Sequence, residues 1–212
     1  MQHRLPASVA LAIGLLAAAA ALMPALWVAS QHLHVMAHEG GHAFMGSALG
    51  HRVSSVSMNV KGTGLTMTAG TGGLRIFLTS FSGYLASSAF GVGAAKLISM
   101  GHGVAVLWLL ILGLAILLLV AQGLFARFCI ACAGVLLFLA ARYTTPGAQL
   151  AIVYGVTWFL LISGVTVSVK HWKTSGDAAN LKKQTHLPRV LWSMLWLIGC
   201  VAALVYGAGL LV

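Results

Sequence analysis

Residues 103–122 read GVAVLWLLILGLAILLLVAQ, a run of 20 residues without a charged side chain. A helix of about 20 apolar residues is about 30 Å long, which matches the hydrocarbon core of a bilayer. The composition of the whole chain agrees, because 60% of its 212 residues are hydrophobic and 7% are charged, whereas soluble domains carry roughly 25% charged residues. The sequence therefore predicts an all-α polytopic membrane protein.

Further helical segments lie on both sides of this run, and seven are predicted in all. Between the second and the third, residues 53–69 change character, since they are rich in Val, Ser, Thr and Met and alternate roughly in polarity. The turn-like stretch Lys61–Gly64 in their middle predicts a short β-hairpin or β-like loop. The loops are too short for a second folded domain, so residues 1–212 are predicted to form one integral-membrane domain. The predicted helical segments are 8–29, 31–49, 75–98, 103–122, 125–142, 148–169 and 190–212.

Twelve Lys and Arg against two acidic residues give a formal net charge of +10. In a soluble chain this balance would suggest nucleic acid, but here the basic residues lie in short loops between apolar segments, so no nucleic-acid partner is predicted. With the N-terminus in the cytoplasm and seven crossings, the positive-inside rule places ten basic residues on the cytoplasmic side and two on the other. The loops 50–75 and 170–189 then share the cytoplasmic side, and the C-terminus lies opposite.

The second segment carries an H-E-x-x-H motif, His38-Glu39-Gly40-Gly41-His42. A spacing of four places both imidazoles on one helix face, where they can bind one Zn²⁺ ion. The intervening glutamate lies beside the metal and can take a proton from a water molecule that the metal acidifies. The alternative is a pair of buried histidines with the glutamate in an ion pair, but no Lys or Arg lies in residues 31–49.

A catalytic zinc site needs a third protein ligand. Glu39 is the one glutamate of the sequence, and alanine occupies the place where an extended motif would add a third histidine. The remaining acid is Asp177, in the loop 170–189, which the predicted crossings return to the side of the motif. His34, one turn before the motif, and His186 are the alternative third ligands.

The third segment carries small residues at intervals of four. Such a row lets two membrane helices approach closely, so it is predicted to pack against the helix of the motif. Contact of a substrate with Gly83 and Tyr84 is the alternative. The row consists of Thr79, Gly83, Ser87, Gly91 and Ala95.

From about residue 30 to 200, the chain resembles the site-2 protease family of intramembrane zinc metalloproteases, and above all its short bacterial branch, the peptidase M50B-like proteins. The resemblance rests first on HEGGHAF within a membrane helix and on a distant Asp-x-x-x-Leu that begins at Asp177. Further likenesses are Gly50–Val53 before the hairpin, Ser82–Leu85, and His186–Pro188.

This resemblance implies that His38, His42 and Asp177 bind Zn²⁺, that Glu39 activates water, and that the hairpin presents an extended substrate strand. The predicted function is hydrolysis of peptide bonds in membrane-protein or peptide substrates within the lipid bilayer. The expected location is a bacterial inner membrane, with the active site open to the cytoplasm. The alternatives are a non-proteolytic zinc-binding membrane scaffold and a metal transporter, although residues 103–169 carry no acid and no histidine along which an ion could pass.

Overall fold

The computed structural model describes residues 4–69 and 73–212. In these ranges, five helices are long and apolar enough to cross a membrane, and one bent pair adds a sixth candidate span. This architecture confirms the all-α polytopic prediction, whereas the prediction of seven crossings is wrong. The elements are α1 (Ala7–Leu22), α2 (Pro24–Ala48), β1 (Arg52–Met58), β2 (Gly64–Ala69), α3 (Gly73–Ser99), α4 (Gly103–Val120), β3 (Ala121–Gln122), α5 (Leu124–Tyr143), α6 (Pro146–Lys170), α7 (Gly176–Thr185) and α8 (Arg189–Leu211).

The first two helices are broken at a proline rather than at the predicted boundary near residue 30. Met23 has the extended dihedrals φ −77° and ψ 124°, Pro24 begins α2, and the axes of α1 and α2 differ by 96°. Proline disfavours a helical conformation at the preceding residue and cannot donate to the carbonyl four residues earlier. Residues 24–29, which the sequence pattern places in the first segment, therefore belong to the helix of the motif.

The two ends of the described part of the chain, Arg4 and Leu211, lie at the same end of the helix bundle. The Arg4 Nε donates a hydrogen bond of 3.1 Å to the carbonyl oxygen of Ser99, the last residue of α3. Leu211 packs in one apolar cluster with Ala10 and Ile98. Thus α1 and α2 together lead from this end of the bundle to the opposite end, and the prediction that the N-terminus shares a side with the loop after α2 is wrong.

The loops after α2 and after α6 do share one end, as predicted, because the four helices α3 to α6 separate them. Because the N-terminus lies at the opposite end, the end with these two loops holds nine of the twelve basic residues. The other end holds Arg4, Lys96 and Arg142. The excess of Lys and Arg at one end, from which the positive-inside rule assigns the cytoplasmic side, is therefore preserved.

Helix α3 packs against two different helices along its row of small residues. Near its start, Thr79 and Gly83 face α2. Further along, the Ser87 hydroxyl donates to the Leu160 carbonyl of α6 at 2.8 Å, and a Cβ added at Gly91 would lie 2.8 Å from Leu161 Cγ. The predicted packing against the motif helix holds for the first half of the row only.

The hairpin is confirmed, and it belongs to a three-stranded sheet in the order β2-β1-β3. In its turn, the Asn59 side-chain oxygen accepts from the Lys61 amide at 2.9 Å, and Gly62 adopts φ +76°, a conformation that glycine favours. The sequence did not predict β3, which joins the α4–α5 turn to β1 by the parallel pairing of Ala121 with Val56. The hairpin is thereby fixed on one edge.

The loop after α6 contains α7, an amphipathic helix that the sequence analysis did not assign. The Ser175 hydroxyl caps it by accepting from the Ala178 amide at 3.1 Å. Ala178 and Leu181 are fully buried and pack in a cluster with Tyr84 and Trp196. This packing fixes the first turn of α7, and hence Asp177, against α3 and α8.

Candidate metal centre

The two histidines of the motif lie side by side on the face of α2 that meets α3. Their Nε2 atoms are 3.2 Å apart. The His42 Nδ1 lies 2.6 Å from the Thr79 carbonyl oxygen, which can only accept, so Nδ1 donates this hydrogen bond and Nε2 is the nitrogen that faces His38. A backbone carbonyl behind a ligating histidine is the usual way in which proteins fix its tautomer and ring orientation.

Gly83 provides the space for these imidazoles. A Cβ added there would lie 2.3 Å from His42 Nε2 and 2.9 Å from His38 Cε1, closer than real side-chain atoms approach. The two rings can therefore stand against α3 only because residue 83 has no side chain.

Asp177 reaches the histidine pair from the first turn of α7. Its Oδ2 lies 3.1 Å from His38 Nε2 and 3.3 Å from His42 Nε2. Burial by itself raises the pKa of the Asp177 carboxyl, but hydrogen bonds and charge interactions with His38 and His42 outweigh it and hold that pKa well below its usual range. The group is therefore ionised at neutral pH, the form that binds metals.

The three side chains fit a zinc ion in donor type and spacing. Imidazole nitrogen and carboxylate oxygen are ordinary zinc ligands, bound at about 2.0–2.2 Å. Two such ligands in a tetrahedral site are about 3.3–3.6 Å apart, and the three pairwise distances between His38, His42 and Asp177 are 3.1–3.3 Å. The set could therefore hold a metal ion and leave a fourth position for another ligand.

Glu39 lies between the two histidines in sequence and is 4% exposed. The Thr66 hydroxyl of β2 donates to its Oε2 at 2.6 Å. Gly64, also on β2, stands against the other side of the carboxylate, where an added Cβ would lie 2.4 Å from Oε1. The hairpin therefore covers the glutamate of the motif, and no sequence pattern predicts these two contacts.

A sequence profile described as Peptidase M50B-like matches residues 11–207, nearly the whole chain. The protein belongs to this family. Membership supports a protease and agrees with the resemblance drawn from the motif. Searches of curated proteins and of solved structures gave no match.

In this M50B-like chain, the two alternative third ligands lie elsewhere. His34 is buried and its Nδ1 is 3.1 Å from the Ser163 hydroxyl of α6. His186 ends α7 in a left-handed conformation with φ 62°. It lies nine residues after Asp177, which is about 13 Å along a helix. The structure thus brings Asp177, and neither alternative, to the histidine pair.

An aromatic stack borders the His38 side of the site. The Tyr84 ring meets His38 edge-on with centroids 5.0 Å apart and stacks on Trp196 at 4.5 Å. Trp196 is fixed in turn, because its Nε1 donates to the Phe81 carbonyl at 3.0 Å. From the sequence, Tyr84 is a possible substrate contact and part of the stretch Ser82–Leu85, whereas no sequence pattern indicates a role for Trp196.

Proposed function

We propose that this protein is an intramembrane zinc metalloprotease that hydrolyses peptide bonds of membrane-protein substrates. The observation that carries the proposal is the convergence of His38, His42 and Asp177 beside the buried Glu39, in a membrane-spanning chain of a peptidase family. The proposed ligands come from two distant segments, and the distances of 3.1 and 3.3 Å from Asp177 Oδ2 to the two imidazoles support a shared metal ion.

Each residue of the site has a distinct task in this proposal. When bound, zinc would act as a Lewis acid that polarises a substrate carbonyl and lowers the pKa of water to about 7. The Glu39 carboxylate accepts a proton from the attacking water and passes it to the leaving amine. Thr79 keeps the His42 ring in the ligating tautomer, and Asp177 supplies the negative charge of the ligand set.

The substrate is proposed to lie in extended form beside the hairpin of residues 53–69. Within the described residues, β2 pairs with β1 along one edge and has no strand along the other. A free edge of this kind can accept an extended peptide through main-chain hydrogen bonds. Water can also reach the site, because the side chains of His38 and Asp177 are 15% and 20% exposed.

The distribution of basic residues orients the site. Nine of the twelve lie at the end of the bundle that holds the metal ligands, and an excess of Lys and Arg marks the cytoplasmic side. We therefore place the active site on the cytoplasmic side of a bacterial inner membrane, in a single domain of residues 1–212.

The proposal is tested with the purified protein in detergent, by measuring bound zinc and cleavage of a panel of fluorogenic single-span membrane peptides. We expect cleavage that a chelator abolishes and added zinc restores. Glu39→Gln should keep zinc and lose cleavage, whereas Asp177→Ala should lose both. Cleavage at the native rate by Glu39→Gln would overturn the assignment of the base. Tightly bound zinc without cleavage would favour a scaffold, and zinc flux into proteoliposomes would favour a transporter.

A further inference from the structure

The glutamate of the motif is held by a residue outside the helix that carries it. The Thr66 hydroxyl lies 2.6 Å from Glu39 Oε2 and 3.2 Å from the Glu39 main-chain oxygen. A threonine hydroxyl has one proton to donate. The short distance to Oε2 is typical of a hydroxyl that donates to a charged carboxylate, where bonds of about 2.5–2.7 Å occur. The carboxylate is therefore the main acceptor.

The alternation of β2 presents Thr66 to this carboxylate. Side chains of a strand point alternately to its two faces, and along β2 residues 64, 66 and 68 are partly buried while residues 65, 67 and 69 are exposed. Gly64 therefore faces α2 two positions before Thr66. Because it has no side chain, Gly64 leaves room for Glu39 Oε1, which an added Cβ would overlap.

The surroundings of Glu39 give this one hydrogen bond unusual weight. The carboxylate is buried, and among the described residues it forms no ion pair with Lys or Arg, since the two ion pairs found there both belong to Asp177. A buried carboxylate without a positioned donor would turn toward any polar group or water within reach. The hydroxyl of Thr66 fixes one carboxylate oxygen, so the other keeps a defined direction.

We propose that Thr66 is a positioning residue for the general base: its hydroxyl holds Glu39 Oε2 and so fixes the orientation of the carboxylate that takes the proton. The inference rests on the proposed function. It assigns the hairpin a second task besides substrate binding, because the same strand that offers its edge to a substrate orients the base. Partners that orient the ligands of metal sites typically change affinity or activity by about 10- to 100-fold when removed, and we expect an effect of this size here.

The first test compares three variants for cleavage and for zinc content. Thr66→Val removes the hydroxyl and keeps the shape of the side chain, so kcat should fall by about 10- to 100-fold while KM and bound zinc stay near native. Thr66→Ser keeps a hydroxyl and should restore most of kcat. Thr157→Val, a buried threonine of α6 that bonds only within its own helix, is the control and should leave kcat unchanged.

The second test does not depend on activity. Glu39 is the one glutamate of the chain. Cell-free synthesis with glutamate that carries ¹³C at its side-chain carboxyl carbon therefore gives a single labelled carboxylate. Its infrared stretching band reports the hydrogen bond directly. The band should shift in Thr66→Val, return toward its native position in Thr66→Ser, and stay in place in Thr157→Val.

The outcomes separate the inference from the proposed function. An unshifted band in Thr66→Val, or native kcat in that variant, overturns the inference. Equal loss of kcat in Thr66→Val and Thr66→Ser, or loss of zinc in Thr66→Val, also overturns it, since either shows a role in folding or at the metal. If the native protein binds zinc and cleaves nothing, the proposed function fails, while a shifted band still establishes the hydrogen bond to Glu39.

Discussion

Replacing Gly83 with alanine would insert a methyl group where the ligand imidazoles stand. The added Cβ would lie 2.3 Å from His42 Nε2, 2.5 Å from His42 Cε1 and 2.9 Å from His38 Cε1. Non-bonded atoms of this size rest at about 3.5–4.0 Å, so the His42 ring must move by about 1 Å. The His42 ring has little freedom to move, because its Nδ1 is held 2.6 Å from the carbonyl oxygen of Thr79. Thr79 lies on α3, one turn before Gly83.

A displacement of this size exceeds what a zinc site tolerates. Metal–ligand distances are expected to lie within about 0.2 Å of their ordinary values, and the required shift is about five times larger. Changing a partner that only orients a ligand already weakens metal binding by about 10- to 100-fold. We therefore expect Gly83→Ala to weaken zinc binding by about 100-fold or more and to abolish cleavage.

The affinity is measured by competition with a chromophoric zinc chelator, on purified protein in detergent. Gly93→Ala is the matched control, because Gly93 lies on the same helix and an added Cβ there meets no atom within 4 Å. The control should bind zinc normally and lose no stability, since alanine is the better helix former. Native zinc affinity in Gly83→Ala, with the fold intact by circular dichroism, would refute the ligand geometry described above.

Further tests concern His34, the two glycines of the motif and the sides on which the termini lie. His34→Ala should keep stoichiometric zinc, because its Nδ1 bonds to Ser163 and not to the ligand set; loss of zinc would make it a ligand. Gly41→Ala should destabilise the fold by about 1–3 kcal/mol, because the added Cβ would lie 2.1 Å from the Cβ of Ala86. Gly40→Ala is the control, since an added Cβ there meets no atom within 4 Å. Equal thermal midpoints in the two variants would contradict this packing. Reporter fusions at the N- and C-termini should lie on the same side of the membrane, and opposite sides would contradict the single crossing of α1 and α2.

The parts of the fold that follow from local pattern could be predicted from the sequence. Uninterrupted apolar runs such as residues 103–122 exceed what any soluble helix needs, so their membrane location was clear. The four-residue spacing of His38 and His42 sets a common helix face whatever surrounds it. The prediction that Asp177 lies at the same end as the motif depends only on the number of helices between the two loops. It therefore holds although the predicted position of the N-terminus was wrong.

Other parts depend on contacts between segments far apart in the chain, which a single sequence does not reveal. Strand β3 has two residues and exists because Ala121 meets Val56. Thr66 lies beside Glu39 because the hairpin folds back over α2. The break at Pro24 is different, since its signal was local: a proline within an apolar run predicts a helix boundary, and the apolar character of the flanking residues obscured it.

The charges of the site lead to one more step. The sequence, with a formal net charge of +10, contains two acids, and both lie at the H-E-x-x-H motif. Among the described residues, Asp177 contacts the two histidines and Glu39 contacts a threonine hydroxyl, and neither forms an ion pair with Lys or Arg. A buried carboxylate is costly unless a positive charge compensates it. Under the proposed function, the positive charge that compensates these carboxylates is that of a metal ion held by His38, His42 and Asp177.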